Sequence, residues 1–362
     1  MTLRSLFTRN SDLKDFIMIK KILIGIAAVL VLVVLLGVLQ SLLVPKYISN
    51  PEGALTGEYY ADKGGHDVIF VGDCEVYESF VPSVLWEKYG ITSYIRGSAQ
   101  QLAWHSYYIL EETLKYEKPK VVVYNVLALK YGEPQSEAFN RMTLDTMKWS
   151  AQKIKAIKAS MTEEESIVDY IFPILRYHSR ITDLKDEDFK YCFSDVPDVS
   201  DNGYLMQTGI VPMENPDEEG RELEDYDLPE TSMEYLEKMR LLCEENGIEL
   251  VLIKAPTNSW GYWWYDEWEE QIVEYAEEKN LDYYNFIPHC EEIGIDWLTD
   301  TYDAGMHLNV YGAEKMTDYF GKILAEKYGL DSRKAESETA ERWNEYLRIY
   351  KERKKSMEDE RK

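Results

Sequence analysis

Short apolar segments rich in β-branched residues alternate with helical patterns along most of this chain, and this alternation limits the possible folds. The predicted strands are 67–71, 92–95, 121–124, 249–253 and 282–286. The main helices predicted around them are 83–89, 104–116, 232–246, 267–279 and 311–328. This order predicts an α/β fold with a mostly parallel sheet that is covered by helices on both faces. Ligands of such sheets bind outside the carboxyl ends of the strands, so we expect a functional site there.

Three stretches depart from this pattern. The stretch 133–230 begins with a helical pattern and continues as an irregular region rich in Asp, Pro and Gly, so we interpret it as an inserted lid. The polar, turn-rich stretch 45–65 predicts a stalk, and 331–362 predicts a charged C-terminal helix. The α/β domain itself is predicted to span 66–330.

An apolar run at 22–44 precedes all of these segments. At 1.5 Å per residue it spans roughly 34 Å, enough to cross the hydrocarbon core of a bilayer. Basic residues are concentrated in the tail 1–21 before the run. The positive-inside rule therefore predicts a cytoplasmic tail, a single-pass membrane helix and a large domain outside the cell membrane. A cleaved signal peptide is the alternative, although the end of the run lacks a small-x-small cleavage site.

The chain is strongly acidic, with a formal net charge of -26 at pH 7. This charge argues against nucleic acid as a partner and against broad adhesion to anionic lipid. Its four cysteines are Cys74, Cys192, Cys243 and Cys290, and they contain no C-x-x-C spacing. Neither a metal site nor a cofactor site is indicated by any motif. Disulfides in an exported domain are an alternative use of the cysteines, with three possible pairings.

Chemistry is suggested at two places that lie far apart in the sequence. The segment Gly72-Asp73-Cys74-Glu75 follows the first predicted strand, and Asp303-Ala304-Gly305-Met306-His307 precedes the last core helix. A thiol can act as a nucleophile, an imidazole as the base that activates it, and a carboxylate as the group that orients the imidazole. The alternatives are that Cys74 is a small buried residue on a turn and that His307 bonds only to backbone.

These residues resemble the conserved blocks of the SGNH (GDSL-type) hydrolase superfamily. The segment ending at Cys74 resembles the first block, and Asp303 with His307 resembles the fifth block. The resemblance covers about 67–330 and implies a three-layer, flavodoxin-like fold. It also implies that Cys74 is the nucleophile, that His307 is the base and that Asp303 orients His307. Gly97 and Asn125 resemble the oxyanion-binding residues of the second and third blocks.

The chain departs from the family pattern at two points. Cys74 stands where the family has Ser, and the Asp303–His307 spacing is one residue longer than the family's Asp-x-x-His. Together with a membrane anchor, the domain is most similar to envelope proteins that act beside membrane-bound O-acyltransferases, as in D-alanyl transfer to teichoic acids and acetylation of alginate. This resemblance implies ester hydrolysis or O-acyl transfer on a cell-surface polysaccharide, with such an acyltransferase as a partner. A non-catalytic module that binds glycan or a partner, and a purely structural envelope protein, are the alternatives.

Candidate substrate-binding residues lie in two further segments. The loop after the fourth strand contains Trp260, Trp263 and Trp264, and aromatic faces of this kind bind sugars. Packing of the lid onto the core, or a place at the membrane interface, is the alternative for these rings. Arg176 lies in a small basic group with His178 and Arg180, which predicts binding of a phosphate or carboxylate. Ion pairing with nearby acids is the alternative there.

Overall fold

The computed structural model describes residues 3–193, 197–213, 222–259, 262–330 and 337–361. Within these residues it contains a five-stranded sheet in which every pair of neighbouring strands is parallel. The strands are β1 Val68–Gly72, β2 Ser93–Gly97, β3 Val121–Asn125, β4 Glu249–Lys254 and β5 Asp282–Asn285. The sequence-based prediction of a parallel α/β sheet is therefore confirmed, and each strand lies within two residues of its predicted bounds.

The five main helices predicted around the strands are present, with ends within three residues of their predicted bounds. In chain order the helices are α1 Leu3–Leu43, α2 Leu55–Glu58, α3 Cys74–Ser79, α4 Pro82–Tyr89, α5 Ala103–Thr113, α6 Glu137–Leu144, α7 Ala151–Ser160, α8 Ile167–Ile171, α9 Ile174–Tyr177, α10 Asp186–Lys190, α11 Glu230–Asn246, α12 Asp266–Lys279, α13 Cys290–Ile293, α14 Val310–Tyr328 and α15 Ser337–Glu360. Glycines in the left-handed conformation end α4, α11, α13 and α14, as expected for helix termini.

Both faces of the sheet are buried, which explains the nearly continuous apolar runs of its strands. Side chains alternate between faces along a strand, so Val68 and Phe70 join one apolar cluster while Ile69 and Val71 join the other. Helices α3, α4 and α14 contribute to the first cluster, and α5, α11 and α12 contribute to the second. The sheet is thus the shared central layer of two cores.

The strand order β2-β1-β3-β4-β5 reverses direction between β1 and β3. At such a switch point the connections leave the sheet on opposite sides, so the carboxyl ends of the two strands border a crevice. Cys74 lies two residues after the end of β1, and Asn125 is the last residue of β3. The topology therefore places the predicted nucleophile at the crevice.

Two flanking segments differ from their predictions because their aromatic and aliphatic side chains are buried. The stretch predicted as a stalk forms short helical turns after residue 46, and Leu55 and Tyr59 are buried in the core clusters. The C-terminal helix α15 buries Trp343 and Tyr350, and its Trp343 ring lies 5.9 Å from that of Trp86 on α4. The sequence-based prediction missed these few buried aromatic residues because most of the helix is charged.

The stretch predicted as one inserted lid is divided in the structure. The helical pattern at its start forms the separate helices α6 to α9 because polar turns and Pro173 interrupt it, and α10 forms within the part predicted as irregular. Further along, Tyr204 is buried in the first core cluster, and the N–H of Leu205 donates to the Tyr77 carbonyl. Part of the insertion is thus built into the α/β core.

The chain forms two compact units. The smaller one contains Met1–Lys46 and Val168–Ser194, and the larger one contains Tyr47–Ile167 and Asp195–Lys362. In the smaller unit α9 and α10 pack against α1. The 28-residue part of α1 at Phe16–Leu43 is long and apolar enough to cross a membrane, and the 18-residue window that defines it is unburied.

Candidate functional site

Cys74 is the first residue of α3, directly after a tight turn at the end of β1. A Cβ atom on Gly72 would lie 2.5 Å from Cγ2 of Val76, so only glycine lets the helix start this close to the strand. Asp73 caps α3, since its carboxylate accepts the N–H of Glu75 at 3.2 Å. The turn thus places the thiol at the carboxyl edge of the sheet.

His307 is held by Asp303 through two hydrogen bonds. Nδ1 of His307 lies 2.6 Å from Oδ2 of Asp303, and the backbone N–H of His307 donates to Oδ1 at 2.8 Å. The four-residue spacing is accommodated because Ala304 and Gly305 adopt left-handed conformations, with φ of 59° and 87°. The predicted pairing of imidazole and carboxylate is therefore present in the structure.

A second carboxylate, Glu78, also faces the imidazole. Its Oε2 lies 3.3 Å from Nδ1 of His307, and its Oε1 accepts the hydroxyl of Tyr302 at 2.6 Å. Glu78 follows Cys74 by four residues, so both project from the same face of α3. Burial raises the pKa of the Glu78 carboxyl to about 7, although the nearby His307 charge opposes the rise.

The imidazole of His307 lies between two tyrosine rings. The Tyr262 ring meets it edge-on at 5.2 Å, and the Tyr302 ring stacks on it at 6.0 Å. Burial alone disfavours the imidazolium, but a negative charge on Cys74 and the hydrogen bond to Asp303 outweigh it and raise the pKa of His307 to about 12. A hydrogen bond with the Cys74 sulfur adds to this rise of the pKa, and Nε2 of His307 is buried.

The Cys74 thiol contacts a phenol. Its Sγ lies 3.0 Å from Oη of Tyr262, with either group able to donate. Burial and the neighbouring Asp73 carboxylate raise the pKa of the thiol, whereas the charge on His307 acts in the opposite direction. The reactivity of the thiol is thus set by competition between burial and the imidazolium.

Cys74 and His307 line the same cavity, which has a volume of about 280 Å³. Its lining is mostly polar and aromatic and consists of Glu52, Asp73, Cys74, Tyr77, Glu78, Ala99, Gln100, Leu127, Tyr131, Phe139, Tyr262, Tyr302 and His307. Gln100 has a φ of 50°, unusual for a residue other than glycine, and its Oε1 is buried without a hydrogen-bond partner in the described part of the chain. Such strain is common at functional sites.

A buried polar network lies beside the turn at Cys74, and Asn125 is at its centre. The Asn125 amide group donates to Asp73 at 3.1 Å and to Glu75 at 2.9 Å, while its Oδ1 accepts the N–H of Ala255 at 3.0 Å. Nζ of Lys254 lies 2.7 Å from Glu75. Burial and the charge on Glu75 raise the pKa of Asp73 to about 7. The network fixes the ends of β1, β3 and β4 relative to one another.

This network corrects the sequence-based expectation for Asn125. Both amide hydrogens of its side chain are used by Asp73 and Glu75, so neither is left for an oxyanion. Gly97 does lie at the site, because a Cβ there would be 3.1 Å from the Gly72 carbonyl oxygen and 3.2 Å from the Tyr77 ring. The oxyanion role of Gly97 stays a prediction.

The predicted substrate-binding residues are dispersed. Trp260 lies outside the described residues, and Trp263 is half-buried against Tyr265, with ring centroids 6.4 Å apart. Trp264 is only 9% exposed and donates to Glu269 at 2.8 Å, which makes it a core residue. For Trp264 the packing alternative is correct. Arg176 lies in the smaller unit, on α9, and is exposed there.

Sequence reasoning missed the aromatic and acidic residues nearest to the imidazole. Tyr262 belongs to the same aromatic segment as the tryptophans, and Tyr302 immediately precedes Asp303. Glu78 was recognisable only from its position one helical turn after Cys74. These residues could be seen in the sequence. Their roles depend on which face of α3 carries Glu78 and on the direction of the tyrosine rings, which the sequence does not give.

The cysteines are all free thiols, so the disulfide alternative does not describe this structure. Within the described ranges there is no group of three or more His, Cys, Asp or Glu side chains arranged to hold a metal ion. Comparison with models of known protein families gives no match, and comparison with curated proteins gives no significant relative.

Proposed function

We propose that this chain is a membrane-anchored, SGNH-like enzyme of flavodoxin-like topology that hydrolyses or transfers acyl esters on a cell-surface polysaccharide. The observation that carries the proposal is the convergence of Cys74 and His307 on one cavity, with Asp303 holding the imidazole. Cys74 lies far from Asp303 and His307 in the sequence of the larger unit. A thiol, an imidazole and an orienting carboxylate are the components of nucleophilic acyl transfer.

The proposed first step is attack by the Cys74 thiolate on an ester carbonyl. The His307 imidazolium, with Nδ1 held by Asp303, stabilises the thiolate and then gives its Nε2 proton to the leaving alkoxide. The C–O bond of the ester breaks and a C–S bond forms, which leaves an acyl-thioester on Cys74. The buried Nε2 atom is the atom this step requires.

The proposed second step returns the enzyme to its starting state. Neutral His307 takes a proton from water, or from a sugar hydroxyl, and the resulting nucleophile attacks the thioester. The C–S bond breaks, and the product is a free acid or a new ester. Backbone N–H groups of Cys74 and Gly97 are the proposed oxyanion donors, each typically worth about 3 kcal/mol. Gln100, which lines the cavity, is the proposed side-chain amide contact to the substrate.

The polysaccharide substrate is inferred from the cavity and from the location. Tyrosine rings and carboxylates line the cavity, a composition suited to sugar faces and hydroxyl groups. The basic residues in the first half of α1, before its apolar run, favour a cytoplasmic N-terminus with the larger unit outside the cell membrane. A membrane-bound O-acyltransferase is the proposed partner if the reaction is transfer rather than hydrolysis.

One observation favours a second candidate, a catalytically inactive module that binds glycan or a partner. Burial raises the pKa of the Cys74 thiol, and the Tyr262 hydroxyl lies 3.0 Å from its sulfur. The raised pKa favours a neutral thiol, and the phenol covers the sulfur. In that case the same tyrosine-lined cavity binds its ligand without covalent chemistry.

Acylation of Cys74 separates the two candidates. The purified full-length chain, in detergent micelles, is mixed with p-nitrophenyl acetate, quenched in acid and examined by peptide mass spectrometry. We expect a hydroxylamine-sensitive acetyl group on Cys74, which Cys74→Ala removes and His307→Gln slows. Cys290→Ala is the matched control, since this half-buried thiol lies away from the cavity. If no acetyl-Cys74 forms and iodoacetamide labels Cys74 no faster than an ordinary free thiol, the catalytic proposal is wrong and the second candidate, the binding module, is favoured.

A further inference from the structure

The smaller unit carries an apolar surface that the proposed function does not use. Seven large apolar side chains of the 168–193 segment are between 42% and 83% exposed: Val168, Ile171, Phe172, Leu175, Ile181, Phe189 and Phe193. They are concentrated within 26 consecutive positions of a chain whose formal net charge is -26. So dense a group of exposed apolar side chains usually marks an interaction site.

This segment is fixed to the last turns of α1. The Arg180 guanidinium donates to the carbonyl of Leu43, and the Ser41 hydroxyl donates to the carbonyl of Cys192. The Cys192 thiol lies 3.9 Å from the carbonyl of Val38. Arg180 is itself oriented by Asp188, with Nη2 at 3.0 Å and 3.2 Å from the two carboxylate oxygens. The position of the segment along α1 is therefore set by several polar contacts.

The length of α1 then determines the depth of this segment in a bilayer. The apolar part of α1, Phe16–Leu43, has 28 residues, or about 42 Å at 1.5 Å per residue. A hydrocarbon core is about 30 Å thick, and about 40–45 Å with its headgroup layers. If α1 crosses the bilayer, its final turns at 38–43 lie in the second headgroup layer. The 168–193 segment must then lie there as well.

We propose that the 168–193 segment is an interfacial foot, whose exposed apolar side chains insert into the boundary between headgroups and acyl chains beside the end of α1. The occupant of this surface is therefore lipid. The apolar surface of α1 is continuous with it, because the side chains of α1 are exposed from Phe16 to Leu35 and become half-buried from Val38, where the foot packs. This proposal rests on the membrane anchoring proposed above.

Electrostatic attraction does not attach the foot to the membrane. The four Lys and Arg side chains of the foot are offset by five acids in the same segment. The basic residues are Arg176, Arg180, Lys185 and Lys190, and the acids are Asp169, Asp183, Asp186, Glu187 and Asp188. Insertion of apolar side chains does not require anionic lipid, unlike adhesion of a basic patch. We therefore expect the foot to insert into a purely zwitterionic bilayer.

The test uses the full-length chain in nanodiscs of phosphatidylcholine. A ketone-bearing amino acid replaces Phe172, Leu175 or Phe189, one at a time, and a spin label is attached to the ketone so that the native cysteines stay in place. Collision with oxygen, which concentrates in lipid, is compared with collision with a water-soluble nickel complex. Leu30, in the middle of α1, is the lipid reference, and Leu298, exposed on the larger unit, is the water reference.

We expect the labels in the foot to report a depth of about 5–10 Å below the headgroup surface, between the two references. If Leu30 is buried in lipid while all three foot positions are exposed to water like Leu298, the proposal of an interfacial foot is wrong. The proposal that α1 crosses the membrane is then retained. If Leu30 is itself exposed to water, the membrane anchoring fails. Insertion only after anionic lipid is added would contradict the apolar mechanism.

Discussion

His307 and Asp303 form a 2.6 Å hydrogen bond although their spacing is one residue longer than the SGNH pattern that they resemble. The extra residue is absorbed by two consecutive left-handed residues, Ala304 and Gly305. A Cβ on Gly305 would lie 2.5 Å from the Met213 sulfur and 3.1 Å from the Asn258 carbonyl oxygen. The loop that positions Asp303 therefore depends on a glycine at this place.

Gly305→Ala should disturb the site beyond its effect on backbone strain. Gly247 is the matched control, because it also has a positive φ, of 64°, but its Cβ would meet nothing within 4 Å. We expect Gly247→Ala to lower the free energy of unfolding by about 1 kcal/mol from backbone strain alone. Gly305→Ala should lower it further and also slow alkylation of Cys74 by iodoacetamide. Equal effects of the two substitutions on both measurements would contradict this account.

Asp303→Asn should make the protonated form of His307 less stable and so reduce the thiolate fraction of Cys74. A hydrogen bond to a charged group is worth about 1.5–3 kcal/mol, so we expect alkylation of Cys74 to slow by about 10- to 100-fold. Glu78→Gln should have a smaller effect, because Glu78 lies 3.3 Å from Nδ1 while Asp303 lies 2.6 Å away. The pH dependence of iodoacetamide labelling measures both. A larger effect from Glu78→Gln would assign it the orienting role.

Tyr262→Phe removes the hydroxyl group that contacts the Cys74 sulfur at 3.0 Å. A phenol that donates to a thiolate favours the ionised form, so its loss should raise the pKa of Cys74. A neutral hydrogen bond is worth about 0.5–1.5 kcal/mol, which corresponds to alkylation slower by about 2- to 10-fold at pH 7. Tyr275→Phe is the control, since that hydroxyl bonds to Glu237 away from the cavity. Faster alkylation of the Tyr262→Phe variant would show that the ring shields the thiol instead.

The buried pair of Lys254 and Glu75 should show strong coupling in a double-mutant cycle. Their side chains are 0% and 1% exposed and lie 2.7 Å apart. Lys254→Met alone leaves a buried carboxylate without its cation and should cost about 3–5 kcal/mol in the free energy of unfolding. Adding Glu75→Gln should recover a large part of this loss. Chemical denaturation of the four variants measures the coupling, and additive losses would contradict it.

The stability of the chain should decrease as the pH rises from about 4 to about 7. Burial raises the pKa of Glu58, Asp73 and Glu78 to about 7, so the folded state holds protons that the unfolded state has lost in this range. His66 acts in the same direction above this range. Burial lowers its pKa, but the hydrogen bonds that its ring donates to the Asp62 and Glu117 carboxylates outweigh burial and raise the pKa to about 9.

Thermal unfolding of the full-length chain in detergent measures this dependence. We expect a higher Tm near pH 5 than near pH 8, and Glu78→Gln should reduce the slope because it removes one titrating group. A Tm that rises between pH 5 and pH 8 would contradict the assignment of these carboxyls as buried and protonated.

The strands and main helices were predictable because burial on both faces of a parallel sheet imposes long apolar runs in any such sequence. Val121 to Tyr124 reads as a strand without knowledge of its neighbours, and Gly90 marks the end of α4 by its own conformational freedom. The same logic located Cys74, since the first strand ends at a glycine. These features are local, so the sequence alone contains the information for them.

The direction of each polar side chain was decided only by the tertiary structure. Asn125 lies at the predicted strand end, yet its amide is used by Asp73 and Glu75, which β1 and α3 bring to it. Trp264 turns into the core, while its neighbour Tyr262 reaches the Cys74 sulfur. Sequence determined which residues reach the carboxyl edge of the sheet, whereas packing between distant segments determined which of their atoms face the cavity, because hydrogen-bond partners and burial depend on contacts that no local pattern records.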